Sequence, residues 1–187
     1  MESLLPSVTC RSALVIGAAR SGKSRYALAL AEATAADRLY LATAEAGDAE
    51  MAERIDRHRR ERGEGWRTRE EPLDLAAALR AEARPGRVVL VDCLTLWLSN
   101  LMLAERDVGA QISELTDVIA GLGGPALLIA NEVGAGVVPA TPLGRTFRDW
   151  QGRLNQLAAA VCDAVIAIVA GLPVQLKPAP RPDIRLR

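Results

Sequence analysis

Ala13-Leu14-Val15-Ile16-Gly17-Ala18-Ala19-Arg20-Ser21-Gly22-Lys23-Ser24 is the stretch on which the fold turns. Four apolar residues closing on a glycine read as a buried parallel strand, which needs no polar alternation because helices cover both of its faces. An Ala- and Leu-rich helical pattern follows from Lys23 to about Ala33. Between strand and helix lies the spacing G-x-x-x-x-G-K-S, that of a phosphate-binding loop. Its backbone N–H groups wrap phosphates at a helix N-terminus, Lys23 reaches the β- and γ-phosphates, and the Ser24 hydroxyl is placed to bind Mg²⁺. A chance glycine loop is the competing reading, but the complete motif stands in the strand-to-helix context that such a loop requires.

The same alternation continues along the rest of the chain. Leu39–Ala42, Val88–Val91, Ala126–Ala130 and Ala164–Val169 are further short apolar runs. Helical patterns cover Asp48–Arg62, Leu73–Ala83, Leu94–Leu103 and Gln111–Leu122, with Trp66–Thr68 as a short extended piece. Thr141-Pro142 supplies an N-cap and a first-turn proline for a long helix. Its apolar stripe is expected at Leu143, Phe147, Trp150, Leu154, Leu157 and Val161. Leu172–Leu176 reads as an edge strand, and the Pro- and Arg-rich stretch from Lys177 onward as a mobile tail. Strands alternating with helices predict an α/β, P-loop NTPase-type three-layer fold with a mostly parallel central sheet, whose ligands sit at the carboxyl ends of the strands. The expected organisation is an extension over 1–12, one nucleotide-binding transferase domain over 13–177, and a tail over 178–187.

Composition agrees with one domain, since 187 residues lie within the usual size of a single core. Half of the residues are hydrophobic while only 3% are aromatic, so that core must be aliphatic. Lys+Arg and Asp+Glu both number 23, and this balance argues against a dedicated nucleic-acid binder, whose footprint is a basic excess. Cys10, Cys93 and Cys162 are widely spaced with no C-x-x-C pair, which argues against a disulfide framework or a zinc site and fits a reducing cytoplasm. The first residues lack the basic and apolar regions of a signal peptide, and no apolar run reaches the ~18 residues of a membrane span.

Three further features carry chemistry. Asp92 ends the run Val88–Val91, where an acid in P-loop enzymes holds Mg²⁺; an ordinary helix-capping role is the alternative. His58, the single histidine, lies three residues after Ile55 and seven after Met51, the spacing of a packed or surface position on a helix face. Yet Arg57, Arg59, Arg60 and Arg62 flank it, a costly cluster unless an anion arrives, and a neutral imidazole is a competent nucleophile toward phosphorus. The residues alone leave these two readings level. Asn131-Glu132-Val133-Gly134-Ala135-Gly136-Val137-Val138-Pro139 leaves a strand end as a glycine-containing loop, where site linings are common. It is not the N-K-x-D guanine reader of regulatory GTPases.

Taken together, these residues resemble the bifunctional adenosylcobinamide kinase and adenosylcobinamide-phosphate guanylyltransferase family of cobalamin biosynthesis. Four blocks carry the resemblance: Gly17–Ser24, Met51–His58, Trp66-Arg67-Thr68, and Asn131–Gly134 with Arg145-x-Phe147-Arg148-Asp149. The resemblance spans Ala13 to Lys177 and implies two reactions at one nucleotide site. ATP or GTP phosphorylates the hydroxyl of the aminopropanol arm of adenosylcobinamide. GTP then gives its GMP to a histidine, with release of pyrophosphate, and the phosphorylated corrinoid takes that GMP to become adenosylcobinamide-GDP. The matching histidine is His58. Implied nucleotide contacts fall on Gly17, Ala18, Ala19, Arg20, Ser21, Gly22, Lys23 and Ser24, on Ala42, Thr43 and Ala44, on Arg59, Arg60, Glu61 and Arg62, and on Glu70 and Asp92. The metal would be Mg²⁺ on Ser24 and Asp92, and the implied assembly is a homotrimer. Ala18 departs from the family by standing where a second glycine is usual, and Asp92 stands where an acid pair or Glu is common. Two other functions compete: a single-activity small-metabolite kinase with a structural His58, and a P-loop ATPase or GTPase acting as a regulatory switch.

Overall fold

The structure, a computed structural model, describes residues 9–44, 53, 60 and 62–179. The elements run β1 (Ser12–Gly17), α1 (Lys23–Thr34), β2 (Asp37–Ala42), β3 (Trp66–Glu70), α2 (Leu75–Glu82), β4 (Arg87–Asp92), α3 (Leu94–Leu103), α4 (Val108–Ala120), β5 (Ala126–Asn131), α5 (Pro142–Val161), β6 (Ala164–Val169) and β7 (Leu172–Lys177). They build a 7-stranded sheet in the order β3-β2-β4-β5-β1-β6-β7. Every neighbouring pair is parallel except β6–β7, which is antiparallel.

Each central strand buries both faces, as its unbroken apolar run requires. Ala13, Val15, Val88, Leu90, Leu127, Ile129, Ile166 and Ile168 pack on the side of α1 through Ala27 and Ala31. Leu14, Val89, Val91, Leu128 and Val165 pack on the other side with α2, α3, α4 and α5. Trp97 is fully buried in that second cluster, and its indole N–H donates to Leu73 O at 2.8 Å, satisfying the ring's one polar atom.

Several boundaries differ from the sequence reading for local reasons. α4 starts at Val108 rather than Gln111 because Asp107 accepts a hydrogen bond from Ala110 N at 3.0 Å and caps the helix ahead of Gly109. α2 starts at Leu75 rather than Leu73, since Glu71 Oε1 takes Asp74 N at 2.9 Å and Leu73 stays outside the helix. α5 begins as expected, with Thr141 Oγ1 accepting from Gly144 N at 3.1 Å and Pro142 in the first turn. Its buried stripe is rotated from the expected one: Leu143 is 61% and Leu157 39% exposed, whereas Gln151, Leu154, Asn155 and Ala158 are buried. Lys177, one residue beyond the expected edge strand Leu172–Leu176, is the last residue of β7, and its Nζ donates to Ala159 O at 3.1 Å and Ala160 O at 2.9 Å. Glu53, Arg60 and Arg62 are helical, and the rest of the expected helix Asp48–Arg62 lies outside the described residues, as do residues 180–187 of the tail.

Candidate active site

Parallel pairing brings the carboxyl ends of the strands into one row. Gly17 stands opposite Asn131 and Ile168, Ala42 opposite Glu70 and Asp92, and Asp92 opposite Ile129. The tip of β5 therefore separates the phosphate loop after β1 from Asp92 at the end of β4.

The loop is tightly constrained. A side chain on Gly17 would place its Cβ 2.6 Å from Ser21 Oγ and 2.8 Å from Ile168 O, so only glycine fits there. Gly22 takes φ 96°, a left-handed conformation suited to glycine, and caps α1 without a side-chain hydrogen bond. Ser21 N donates to Ala18 O at 3.2 Å, and Gly171 N, in the β6–β7 turn, donates to Ser21 O at 3.0 Å. Lys23 Nζ donates to Ala18 O at 3.1 Å, which lays the ammonium across the concavity of its own loop. Ser21 Oγ is buried without a hydrogen-bond partner among the described residues, an orphan that a phosphate oxygen would satisfy. Ala18, Ala19 and Arg20 are exposed and Ser24 is half-buried at the first turn of α1.

Asp92 shares the alternating face of Val88 and Leu90, the side on which α1 lies. The Tyr40 hydroxyl donates to Asp92 Oδ2, and burial followed by that carboxylate pushes the phenol far above its ordinary pKa, so it stays a donor. Over the Tyr40 ring, 3.6 Å from its centroid, lies the guanidinium of Arg62, which is buried and donates to Thr68 Oγ1 at 3.4 Å. A chain Arg62–Tyr40–Asp92 thus orients the carboxylate. Lys23 acts on the same corner: burial, then Asp92, pushes the Cys93 thiol up to about 11, while the Lys23 ammonium opposes that rise.

Thr43 is fully buried and locks two strand ends together. Its Oγ1 donates to Cys93 O at 2.8 Å and accepts from Cys93 N at 2.9 Å, while Asn100 Nδ2 donates to Thr43 O at 2.8 Å. Its hydroxyl is thereby engaged with the backbone, leaving Ala42 and Ala44, both half-buried, beside it on the carboxyl edge. Thr43→Val keeps the shape but orphans a buried N–H, and is expected to destabilise the protein by about 1–3 kcal/mol. Urea unfolding would show a lower midpoint with an unchanged slope.

Glu70 is exposed at the end of β3, in line with Ala42 and Asp92, and Arg60 is exposed. The loop after β5 is tied to the phosphate loop, since Glu132 N donates to Gly17 O at 3.1 Å. Thr95 Oγ1 accepts from Asn131 N at 2.8 Å, and Asn155 Nδ2 donates to Asn131 O at 3.0 Å. His58, Arg59 and Glu61 lie outside the described residues. Sequence reading alone misses Tyr40, Thr95, Asn100 and Asn155. Tyr40 carries a signal, since it stands two residues before Ala42 on a strand that ends beside Asp92; the others act only across the fold.

Comparison with known proteins accords with this geometry. The family model for cobinamide kinase / cobinamide phosphate guanyltransferase matches residues 13–176. The bifunctional adenosylcobalamin biosynthesis protein CobP of Pseudomonas aeruginosa is 48% identical over 89% of this chain and 98% of its own length. The corresponding Escherichia coli protein CobU is 38% identical over 88% of this chain and 98% of its own. Among solved structures, the ATPase EscN of the enteropathogenic E. coli type III secretion system superposes with a TM-score of 0.52 at 13% identity, a likeness of fold alone. That match covers 86% of this chain but 43% of EscN. With the matched span running from the phosphate-loop strand through β7, the chain belongs to the cobinamide kinase / cobinamide phosphate guanyltransferase family.

Proposed function

We propose that the two reactions of this family run at a single nucleotide site in this chain, with His58 as the nucleophile of the second. The observation that carries the reading is the convergence of the Lys23 loop after β1 and Asp92 at the end of β4, on the two strand tips that flank β5 and on the side of α1. In the kinase step the acceptor's hydroxyl oxygen bonds to the γ-phosphorus and gives up its proton. The β,γ-bridging bond breaks, and the nucleoside diphosphate leaves with the electron pair. Lys23 and the first turn of α1 stabilise the charge that develops. In the guanylyl step a ring nitrogen of His58 bonds to the α-phosphorus of GTP and pyrophosphate leaves. An oxygen of the acceptor's phosphate then takes that phosphorus, and the broken phosphorus–nitrogen bond returns its pair to the imidazole.

The single-activity kinase is set aside because the curated relatives are named bifunctional. The direct test incubates the protein with α-labelled GTP and Mg²⁺, denatures it and looks for retained label. Label that is acid-labile and alkali-stable identifies a phosphorus–nitrogen bond, and absence of label overturns the histidine step.

Ser24 and Asp92 offer oxygen donors, the hard ligands that Mg²⁺ prefers. Mg²⁺ takes few protein ligands and fills the rest of its octahedron from phosphates and water, so two such donors suffice. When bound, Mg²⁺ neutralises phosphate charge. Asp92→Asn is expected to move the Mg²⁺ activation curve upward by roughly 10–100-fold while nucleotide binding changes less. An unmoved curve returns Asp92 to a capping role. The family resemblance further supports a homotrimer working in the cytoplasm; light scattering reads the assembly. Among the described residues no helix is long and apolar enough to cross a membrane.

A further inference from the structure

α5 carries a glycine whose presence the protein's own packing does not explain. Gly152 lies in the middle of the helix, where glycine is less favourable than alanine, and a Cβ built on it meets nothing within 4 Å. Gly144, on the same helix, is different: its Cβ would stand 2.8 Å from Pro139, so packing demands the glycine there. The space beside Gly152 is a trough of about 400 Å³ between α5 and the strands β1, β6 and β7. Ile16, Val165 and Leu176 form its apolar side, and Glu132, Asn155, Gln156 and Lys177 its polar side.

The trough runs to the reacting edge. Ile16 immediately precedes Gly17, and Glu132, which also lines the trough, is bonded through its N–H to Gly17 O. Ile16 and Val165 pack with the cluster on the side of α5, opposite the side of α1 and Asp92. Two substrates would therefore meet over the tips of β1 and β5 from opposite faces of the sheet. One face holds phosphates at a helix N-terminus; the other offers amides, an apolar wall, one carboxylate and Lys177, whose ammonium is bonded to Ala159 O and Ala160 O.

We propose that this trough binds the acceptor, taking the amide-bearing, hydroxyl-ended arm of cobinamide with its hydroxyl at Glu132, and that Gly152 is kept small to admit it. The assignment rests on the kinase reading above. The Gln156 side-chain amide complements the arm's amide, the apolar wall covers its methylene and methyl groups, and Glu132 accepts the hydroxyl's hydrogen bond, while Asn155, bonded to Gln151 and to Asn131 O, shapes the polar side. The volume suits such an arm and not the corrin macrocycle, which stays outside.

Gly152→Ala and Gly152→Leu test this, because the open space accepts either side chain and both residues favour helix. The readouts are the KM for cobinamide in the kinase step, the KM for the nucleotide, and GMP adduct formation from α-labelled GTP. The expected result is a graded rise in the cobinamide KM, about tenfold or more for Gly152→Leu, with the nucleotide KM and the adduct as in the parent. An unchanged cobinamide KM in Gly152→Leu overturns the proposal. So does loss of nucleotide binding in Gly152→Ala, which would place the trough on the nucleotide's side. Failure of the parent protein itself to form the adduct would strike the His58 reading, and the kinase-step KM values would still decide this one.

Discussion

His58→Ala is expected to fold, to keep substantial kinase activity, to form no enzyme–GMP adduct and to make no adenosylcobinamide-GDP. Phosphorylating a hydroxyl needs the phosphate loop, the metal and an oriented acceptor, but no nucleophile from the enzyme. Guanylyl transfer through a covalent intermediate does need one, and His58 is the single imidazole in the chain. Removal of a nucleophile from an enzyme that depends on it lowers turnover on the order of 10⁶-fold. The two activities should therefore separate by several orders of magnitude in one variant. Both are read on the same preparation, the first by corrinoid phosphate formed and the second by label retained from α-labelled GTP. Retained label in His58→Ala makes another residue the nucleophile. Equal loss of both activities in a folded variant makes His58 a positioning residue for the shared nucleotide.

Lys23→Ala is expected to remove both activities together while the fold persists. The ammonium bridges its own loop through Ala18 O and lies near enough to Cys93 to act on its thiol, which places it between the phosphate loop and the tip of β4. Loss of one such stabilising donor costs roughly 10²–10³ in rate. The scaffold does not depend on it. Gly17 remains wedged between Ser21 and Ile168, and the loop is still tied to Gly171 and Glu132 by backbone hydrogen bonds. Circular dichroism and thermal unfolding check the fold, and steady-state assays of each step check the chemistry. A folded variant that transfers phosphate at the parent rate overturns the assignment of the loop. The contrast with His58→Ala is the informative part, because one variant separates the two reactions and the other lowers both together.

The phosphate loop is legible in the sequence because its chemistry is local. The residues that wrap phosphate are contiguous, and the strand before them and the helix after them are set by short-range pattern. The same holds for the buried strands ending at Asp92 and Asn131 and for the Thr141-Pro142 start of α5. His58 stands out as a histidine among arginines, yet the residues alone leave it level between nucleophile and surface position. Its assignment comes from resemblance to a family. The stripe of α5 departs from expectation at Leu143 and Leu157 because hydrophobic spacing alone does not set which way the helix turns. Gln151 and Asn155 are polar residues drawn inward, with Gln151 Nε2 donating to Asn155 Oδ1 at 2.8 Å and Asn155 in turn holding the carbonyl at the end of β5.

What only the tertiary structure decided are the contacts between residues far apart in the chain. Tyr40 reaches Asp92 across 52 positions and Thr43 meets Cys93 across 50, in each case because parallel pairing of β2 with β4 sets their ends side by side. Gly152, in the middle of α5, comes to line a trough only when β1, β6 and β7 are laid against that helix. The local sequence therefore determined which backbone would cradle a phosphate. The packing of the sheet decided which distant side chains stand around it, because strand register and helix rotation are fixed by burial over the whole domain and not by neighbours along the chain.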